Sequence, residues 1–80
     1  MYIGDYKTDK RNGKGRKIYS NNDVYEGQWK DDQKHGDGYF KSETEGWEYA
    51  GKWENNLRHG KGKFTNLKTN EWYEGEWIKN

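Results

Sequence analysis

A motif that recurs at a nearly constant spacing constrains the fold of this chain more than any other feature. Each copy holds a tyrosine, a glycine and an aromatic residue at alternate positions. The copies begin at Tyr2, Tyr25, Tyr49 and Tyr73, which are 23, 24 and 24 residues apart. A fixed period of this length is typical of a repeat architecture, in which each unit packs on its neighbours. The sequence therefore predicts one array over residues 1–80, with units at about 2–24, 25–48 and 49–72 and a half unit at 73–80.

The alternation within each copy indicates β-strands, because successive side chains of a strand point to opposite faces. No stretch of helix length places apolar residues at helical spacing, and the 11 glycines would each weaken a helix. We therefore expect an all-β fold: an elongated single-layer antiparallel sheet of stacked β-hairpin repeats with about seven strands. The expected strands cover residues 2–7, 13–19, 24–30, 36–41, 47–54, 60–65 and 71–78, with polar links between them.

Composition alone would favour disorder, because 36% of the residues are charged and the mean hydropathy is -1.73. Five Trp, seven Tyr and two Phe, most of them in register with the repeat, favour ordered packing instead. The net charge of +1 gives no electrostatic reason to expect a nucleic-acid partner. The absence of cysteine excludes disulfides, and no apolar run is long enough for a signal peptide or a membrane span. We therefore expect a cytoplasmic protein.

Glycines and aromatic residues share one register, which favours close packing of rings over the backbone. In the first strand of each unit the tyrosine, the glycine and the second aromatic residue point to the same face. Glycine weakens a strand unless another group approaches its backbone, so we expect each glycine to leave a slot for a ring of the next hairpin. The expected structural residues are two ladders, Tyr2, Tyr25, Tyr49, Tyr73 and Tyr6, Trp29, Trp53, Trp77, with Gly27, Gly51, Gly36, Gly38, Gly60 and Gly62 beside them.

The pattern resembles the MORN (membrane occupation and recognition nexus) repeat, whose consensus is close to Tyr-x-Gly-x-Trp-x-x-Gly-x-x-His-Gly-x-Gly. The resemblance covers nearly the whole chain, and three linked units with a half unit make it specific. The chain departs from the consensus at the central glycine of the link, where it has Asp9, Asp32 and Asn56. Asp and Asn tolerate the left-handed conformation, so we expect the turn to be kept.

Several other positions depart from the repeat. The first unit has Tyr6 in place of tryptophan and Asn12 in place of histidine, and Lys17 stands where the later units have phenylalanine. We therefore expect the first unit to be the loosest, or to depend most on a neighbour. Trp47 and Trp72 lie outside the two ladders, and the sequence leaves open whether they are exposed or packed against a turn.

The resemblance implies a noncatalytic scaffold or protein-protein interaction module in cytoskeletal or ciliary assemblies or at membranes. Two alternatives stay open: peripheral binding to anionic phospholipids such as phosphoinositides, and an accessory or regulatory repeat region of an enzyme. No nucleophile-like frame surrounds Ser20 or Ser42, so we expect no enzymatic activity in the chain itself, no cofactor and no metal. The expected partner is a protein; end-to-end self-association and weak anionic-lipid contact are further alternatives, and no nucleic acid is expected.

Basic residues recur close to the hairpin links and are expected to line one edge of the sheet. They are Lys10, Arg11, Lys34, His35, Arg58 and His59. Such a row could contact lipid phosphates, but neighbouring acidic residues such as Asp31 and Asp32 nearly cancel its charge, so a solvated edge is favoured. The two histidines lack other ligands at metal-binding spacing and are expected to close the links by hydrogen bonding.

Overall fold

The computed structural model describes residues 1–78, which form seven β-strands in one antiparallel sheet and contain no helix. The strands are β1 (Tyr2–Lys7), β2 (Lys10–Ile18), β3 (Val24–Lys30), β4 (Gln33–Ser42), β5 (Trp47–Glu54), β6 (Leu57–Asn66) and β7 (Trp72–Trp77). They lie side by side in chain order, so each hairpin packs beside the next without a crossover. The sheet measures 41 × 26 × 15 Å. The predicted all-β antiparallel array is confirmed.

Two-residue turns join the strands within each hairpin, and their geometry explains where the return strands begin. Both residues of each turn have positive φ, for example 50° at Asp31 and 68° at Asp32. Positive φ at both central residues is type I′ geometry, whose twist matches that of the flanking strands. The left-handed conformation expected of Asp9, Asp32 and Asn56 is confirmed. The sequence predicted longer links between the paired strands, and this prediction was wrong. Strand pairing resumes directly after the turn, so β2, β4 and β6 each begin three residues earlier than predicted.

A bulge in each return strand accounts for one of the three glycine rows. In the second hairpin Gln28 alone lies opposite residues 35–37, and the other two hairpins show the same shift of register. Gly36 has a φ of 75°, and its counterparts Gly13 and Gly60 have 84° and 93°. A Cβ atom is strained in this conformation, so glycine is favoured there. Gly36 and Gly60 were expected to make room for rings; their role is instead to let the strand bulge.

The other seven glycines of the repeat form a single row across the whole sheet. In order from β1 to β7 they pair as Gly4, Gly15, Gly27, Gly38, Gly51, Gly62 and Gly75. The ring of Tyr25 lies over Gly38, and the ring of Tyr49 lies over Gly62 in the same way. The space beside each of these glycines is therefore filled by the tyrosine of the same hairpin. The prediction that a ring of the next hairpin would fill it was wrong.

The aromatic residues of the motif form one alternating row, so the prediction of two separate ladders was wrong. Tyr25 contacts Trp29 of its own strand with ring centroids 5.0 Å apart and Trp53 of the next unit at 5.6 Å, both edge to face. The row runs in the order Tyr6, Tyr2, Trp29, Tyr25, Trp53, Tyr49, Trp77 and Tyr73. Its middle is the core of the protein, because Tyr25, Trp29, Tyr49 and Trp53 are buried.

A second aromatic row runs beside the first on the same face of the sheet. Trp47 is stacked between Phe40 and Phe64, with ring centroids 5.3 and 5.4 Å apart, and Tyr19 contacts Phe40 at 5.8 Å. Trp47 is therefore packed, whereas Trp72 is 61% exposed on the other face. We call the face with both rows the aromatic face and the other the opposite face.

Candidate functional site

The polar groups of the motif tryptophans and of Tyr2, Tyr25 and Tyr49 form hydrogen bonds within the sheet. The hydroxyl of Tyr25 donates to the carbonyl of Gln28 at 2.8 Å, and Nε1 of Trp53 donates to the carbonyl of Gly38 in the preceding unit at 3.2 Å. The same bonds recur in the other units. Burial raises the pKa of Tyr25 and keeps its hydroxyl protonated. The tryptophan bonds connect one hairpin to the next, the tyrosine bonds stay within one strand, and neither kind points to a ligand.

This bonding pattern repeats with the period of the sequence, and comparison with protein families agrees with it. A family model described as the MORN repeat matches residues 2–24, 25–44, 49–66 and 73–80, which make up most of the chain. The chain belongs to the MORN repeat family. The resemblance seen in the sequence is thereby confirmed, whereas no curated protein matches the chain.

The turns of the second and third MORN units bond to the start of the return strand in the preceding unit. Oδ1 of Asp32 accepts hydrogen bonds from the backbone N–H of Arg11 at 2.7 Å and from its Nε at 3.0 Å. These bonds lower the pKa of the Asp32 carboxyl. Asn56 forms the neutral equivalent one unit later, where its Oδ1 accepts from the backbone N–H of Lys34 at 2.8 Å. Asp32 and Asn56, two of the residues that replace the consensus glycine, therefore connect the MORN units.

Two arginines predicted for the edge lie over aromatic rings instead. The guanidinium of Arg11 is 4.6 Å from the ring centroid of Trp29, and that of Arg58 is 4.6 Å from the centroid of Trp77. Contacts of this length attract a cation to the face of the ring. The prediction that these arginines lie on a solvated edge was wrong. Each arginine lies just after a two-residue turn and faces the same side of the sheet as the rings.

Lys34 is the most enclosed of the predicted basic residues. Its Nζ lies 5.2 to 5.8 Å from the ring centroids of Tyr19, Tyr25, Phe40 and Trp53. Burial, together with the smaller effect of the nearby charges of Lys17 and Arg11, lowers the pKa of Lys34 to about 8. Lys34 pairs with Trp29 across the turn. Lys34 follows Trp29 by five residues in the sequence, and this spacing across a two-residue turn could have predicted that Lys34 lies beside the rings.

The remaining predicted basic residues, Lys10, His35 and His59, lie at the start or in the bulges of the return strands. Lys10 is exposed at the start of β2. His35 and His59 lie in the bulges, beyond the turns that they were expected to close, and Nε2 of His59 is 3.8 Å from Oε2 of Glu54. In residues 1–78 no three histidine or acidic side chains are grouped so that they could hold a metal ion, and no helix is long and apolar enough to cross a bilayer.

The opposite face of the MORN array carries charge pairs between hairpins. Arg16 lies opposite Glu26 in the register of β2 and β3, and Nζ of Lys52 is 2.7 Å from Oδ1 of Asp37 across β4 and β5. Among the shallow grooves on this face, two span neighbouring hairpins. One, of ≈ 640 Å³, is lined by Ile3, Lys14, Arg16, Glu26, Gln28 and Asp37. The other, of ≈ 550 Å³, is lined by Ala50, Lys61, Lys63, Glu74 and Glu76.

Proposed function

We propose that this MORN chain is a noncatalytic interaction module that presents a rigid, elongated sheet to a protein partner. One observation carries the proposal: the edge-to-face row of rings runs without a break from β1 to β7 and holds every hairpin against the next. The rings and their hydroxyl and N–H groups are engaged inside this framework. They support a structural use of the motif, which leaves recognition to the residues around it.

The opposite face differs from unit to unit, as a recognition surface requires. The residue before the glycine of each first strand is Ile3, Glu26, Ala50 or Glu74. These side chains take no part in the aromatic core, because alternate residues of a strand point away from each other. The chemistry of the grooves therefore changes along the array, and such changes can distinguish one partner from another.

Capture of proteins by the immobilised chain tests this proposal. The wild-type chain is compared with a Lys61→Gln, Lys63→Gln double variant, which alters only the opposite face, and with Gly38→Val, which we expect to unfold. Circular dichroism checks that the double variant keeps its fold. A purified protein that binds the wild-type chain and binds the double variant more weakly supports the proposal. If every captured protein binds the unfolded variant equally well, the proposal fails.

Membrane binding is the second candidate, and the geometry of the basic residues weakens it. Arg11, Lys34 and Arg58 lie over rings and do not form a flat basic edge for lipid phosphates. We therefore expect little co-sedimentation with phosphoinositide vesicles even at low ionic strength, where charge attraction is strongest. Strong binding that salt abolishes would favour the membrane over a protein partner.

A cytoplasmic location fits an interaction module, whether the chain acts on cytoskeletal or ciliary assemblies or as an accessory region of an enzyme. Fluorescent tagging of the protein in cells checks this location.

End-to-end association of two copies would not reproduce the antiparallel strand pairing found inside the sheet. Strands β1 and β7 are both first strands of a unit, and because six antiparallel pairings separate them they run in the same direction. A second copy added head to tail would therefore pair β7 with β1 in parallel, unlike every pairing inside the sheet. We expect a monomer in sedimentation equilibrium, and a dimer at micromolar concentration would contradict this expectation.

A further inference from the structure

The first two units of the array together bring two lysines to one tyrosine ring on the aromatic face. Nζ of Lys17 lies 4.6 Å from the ring centroid of Tyr19, and Nζ of Lys34 lies 5.6 Å from the same centroid and donates to the Tyr19 hydroxyl at 3.4 Å. All three side chains are half-buried. Neither lysine forms an ion pair within residues 1–78, so two cations share a poorly hydrated site without a counter-charge.

Other charges near these lysines do not compensate for them. Arg11 adds a third positive charge that lowers the pKa of both lysines, after the larger effect of burial. Asp32 is the carboxylate that acts on Lys17, but its Oδ1 already accepts two hydrogen bonds from Arg11. Asp23 acts on Tyr19 from the neighbouring turn. The site therefore keeps an excess of positive charge.

Comparison between units shows that packing does not require a lysine here. Lys17 pairs with Tyr25 in the position that Phe40 occupies beside Tyr49. Phe40 stacks on Trp47 and extends the second aromatic row. A phenylalanine in place of Lys17 would extend that row further and would avoid burying a charge beside another. Residues that lower stability in this way are expected where a protein binds something.

We propose that Lys17, Lys34 and Tyr19 form a site for a carboxylate on an acidic segment of a partner protein. This proposal rests on the proposed function as a protein-interaction module. The two ammonium groups supply charge and hydrogen-bond donors. The Tyr19 hydroxyl accepts from Lys34 and keeps its own proton, which it can donate to the ligand. A carboxylate is favoured over a doubly charged phosphate because removal of a single charge from water into this ring-lined site costs less.

A membrane surface fits the site less well than an acidic peptide does. The amines lie between aromatic rings, where a single side chain can reach them more easily than the flat surface of a bilayer can. An extended peptide can instead place one acidic side chain among the rings while its backbone stays at the surface.

Fluorescence polarisation with a labelled oligoglutamate peptide tests the site in the full chain. The variants are Lys17→Gln, Lys17→Phe and, as the matched control, Lys14→Gln, which removes the same charge from the opposite face. We expect either Lys17 variant to weaken binding about tenfold, the effect of losing one charged hydrogen bond, whereas Lys14→Gln changes it less than about twofold. Amide NMR shifts should centre on Lys17, Tyr19 and Lys34.

Three outcomes would overturn the proposal. The first is equal affinity of Lys17→Phe and the wild-type chain when Lys17→Phe also melts at a higher temperature, because the lysine then affects stability alone. The second is peptide binding that Lys14→Gln weakens as much as Lys17→Gln. The third is binding to phosphoinositide vesicles that depends on Lys17 when the peptide does not bind. A protein captured by the wild-type chain and unaffected by Lys17→Gln would remove this site but leave the proposed function standing.

Discussion

The ring of Tyr25 lies over Gly38, in the space where any other residue would place its Cβ atom. Tyr25 is fully buried, and its hydroxyl reaches past the glycine to the carbonyl of Gln28 at 2.8 Å. The same relationship joins Tyr49 to Gly62 one unit later. Each hairpin is therefore built on the fit of one ring over one bare stretch of backbone.

Replacement of that glycine should destabilise the protein strongly. Gly38→Val places branched carbon atoms where the Tyr25 ring lies, so either the ring or the strand must move. We expect a loss of at least about 3 kcal/mol in the free energy of unfolding. Lys14→Val is the control, because Lys14 is exposed on the opposite face and valine suits a strand. Urea denaturation measures both variants, and equal stability would contradict the packing described.

The two classes of tryptophan should differ in their contribution to stability. Trp53 is buried between Tyr25 and Tyr49 and bonds to the carbonyl of Gly38, so Trp53→Ala should cost about 3–5 kcal/mol. Trp72 is 61% exposed and contacts the amine of Lys63, so Trp72→Ala should cost less than about 1 kcal/mol. Comparable shifts of the urea midpoint for the two variants would show that the row is not the core.

The stability contributed by the bond between Asp32 and Arg11 should depend on pH in acid. The folded-state pKa of Asp32 lies below its unfolded value because Arg11 bonds to the carboxylate. Its contribution is therefore present above about pH 4 and is lost as the pH falls through the folded-state pKa. Asp32→Asn keeps the acceptor oxygen, as Asn56 does naturally. Thermal melts should show the wild type above Asp32→Asn at neutral pH and the difference closing in acid; a constant difference would contradict this assignment.

The protein should become more stable as the pH rises from 8 to 10, because Lys34 loses its charge more easily in the folded chain than in the unfolded chain. The folded-state pKa of Lys34 is about 8, below the usual 10.5, so between these values the unfolded chain binds more protons and stability rises with pH. Above about pH 10 tyrosines such as Tyr39, whose pKa burial and Glu48 raise to about 12, oppose the rise. Thermal melts from pH 8 to 10 should show the full increase in the wild type and in Lys61→Met, and a smaller increase in Lys34→Met, where Lys17 still has a lowered pKa. An equal increase in Lys34→Met would assign the effect to another group.

The order and type of the strands could be read from the sequence, because every hairpin repeats the same local chemistry. The predicted bounds of β1, β3 and β5 agree with the structure residue for residue. Asp9, Asp32 and Asn56 were correctly expected to be left-handed. Alternation and turn residues act over a few positions, so a single strand already contains the information that places them.

Contacts between units could not be predicted from the alternation and turn residues of single strands. Tyr25 and Trp29 flank the glycine row on one strand, so each meets a ring of the other type in the neighbouring unit. Strand periodicity places them on one face but does not show which ring meets which. The position of Lys34 depends on the length of the turn, and a turn of four residues in place of two would have carried it away from the rings. The candidate carboxylate site depends on both of these relationships.

A double-mutant cycle between Tyr25 and Gly38 tests the central claim most directly, namely that the glycine is required because the tyrosine fills its space. The free energy of unfolding is measured for the wild type, Gly38→Ala, Tyr25→Phe and the double variant, in a stabilising osmolyte so that all four fold. The Tyr25 hydroxyl oxygen is the atom nearest to the added Cβ. We therefore predict that Gly38→Ala costs at least about 1 kcal/mol less when residue 25 is phenylalanine. Strictly additive costs would contradict the claim.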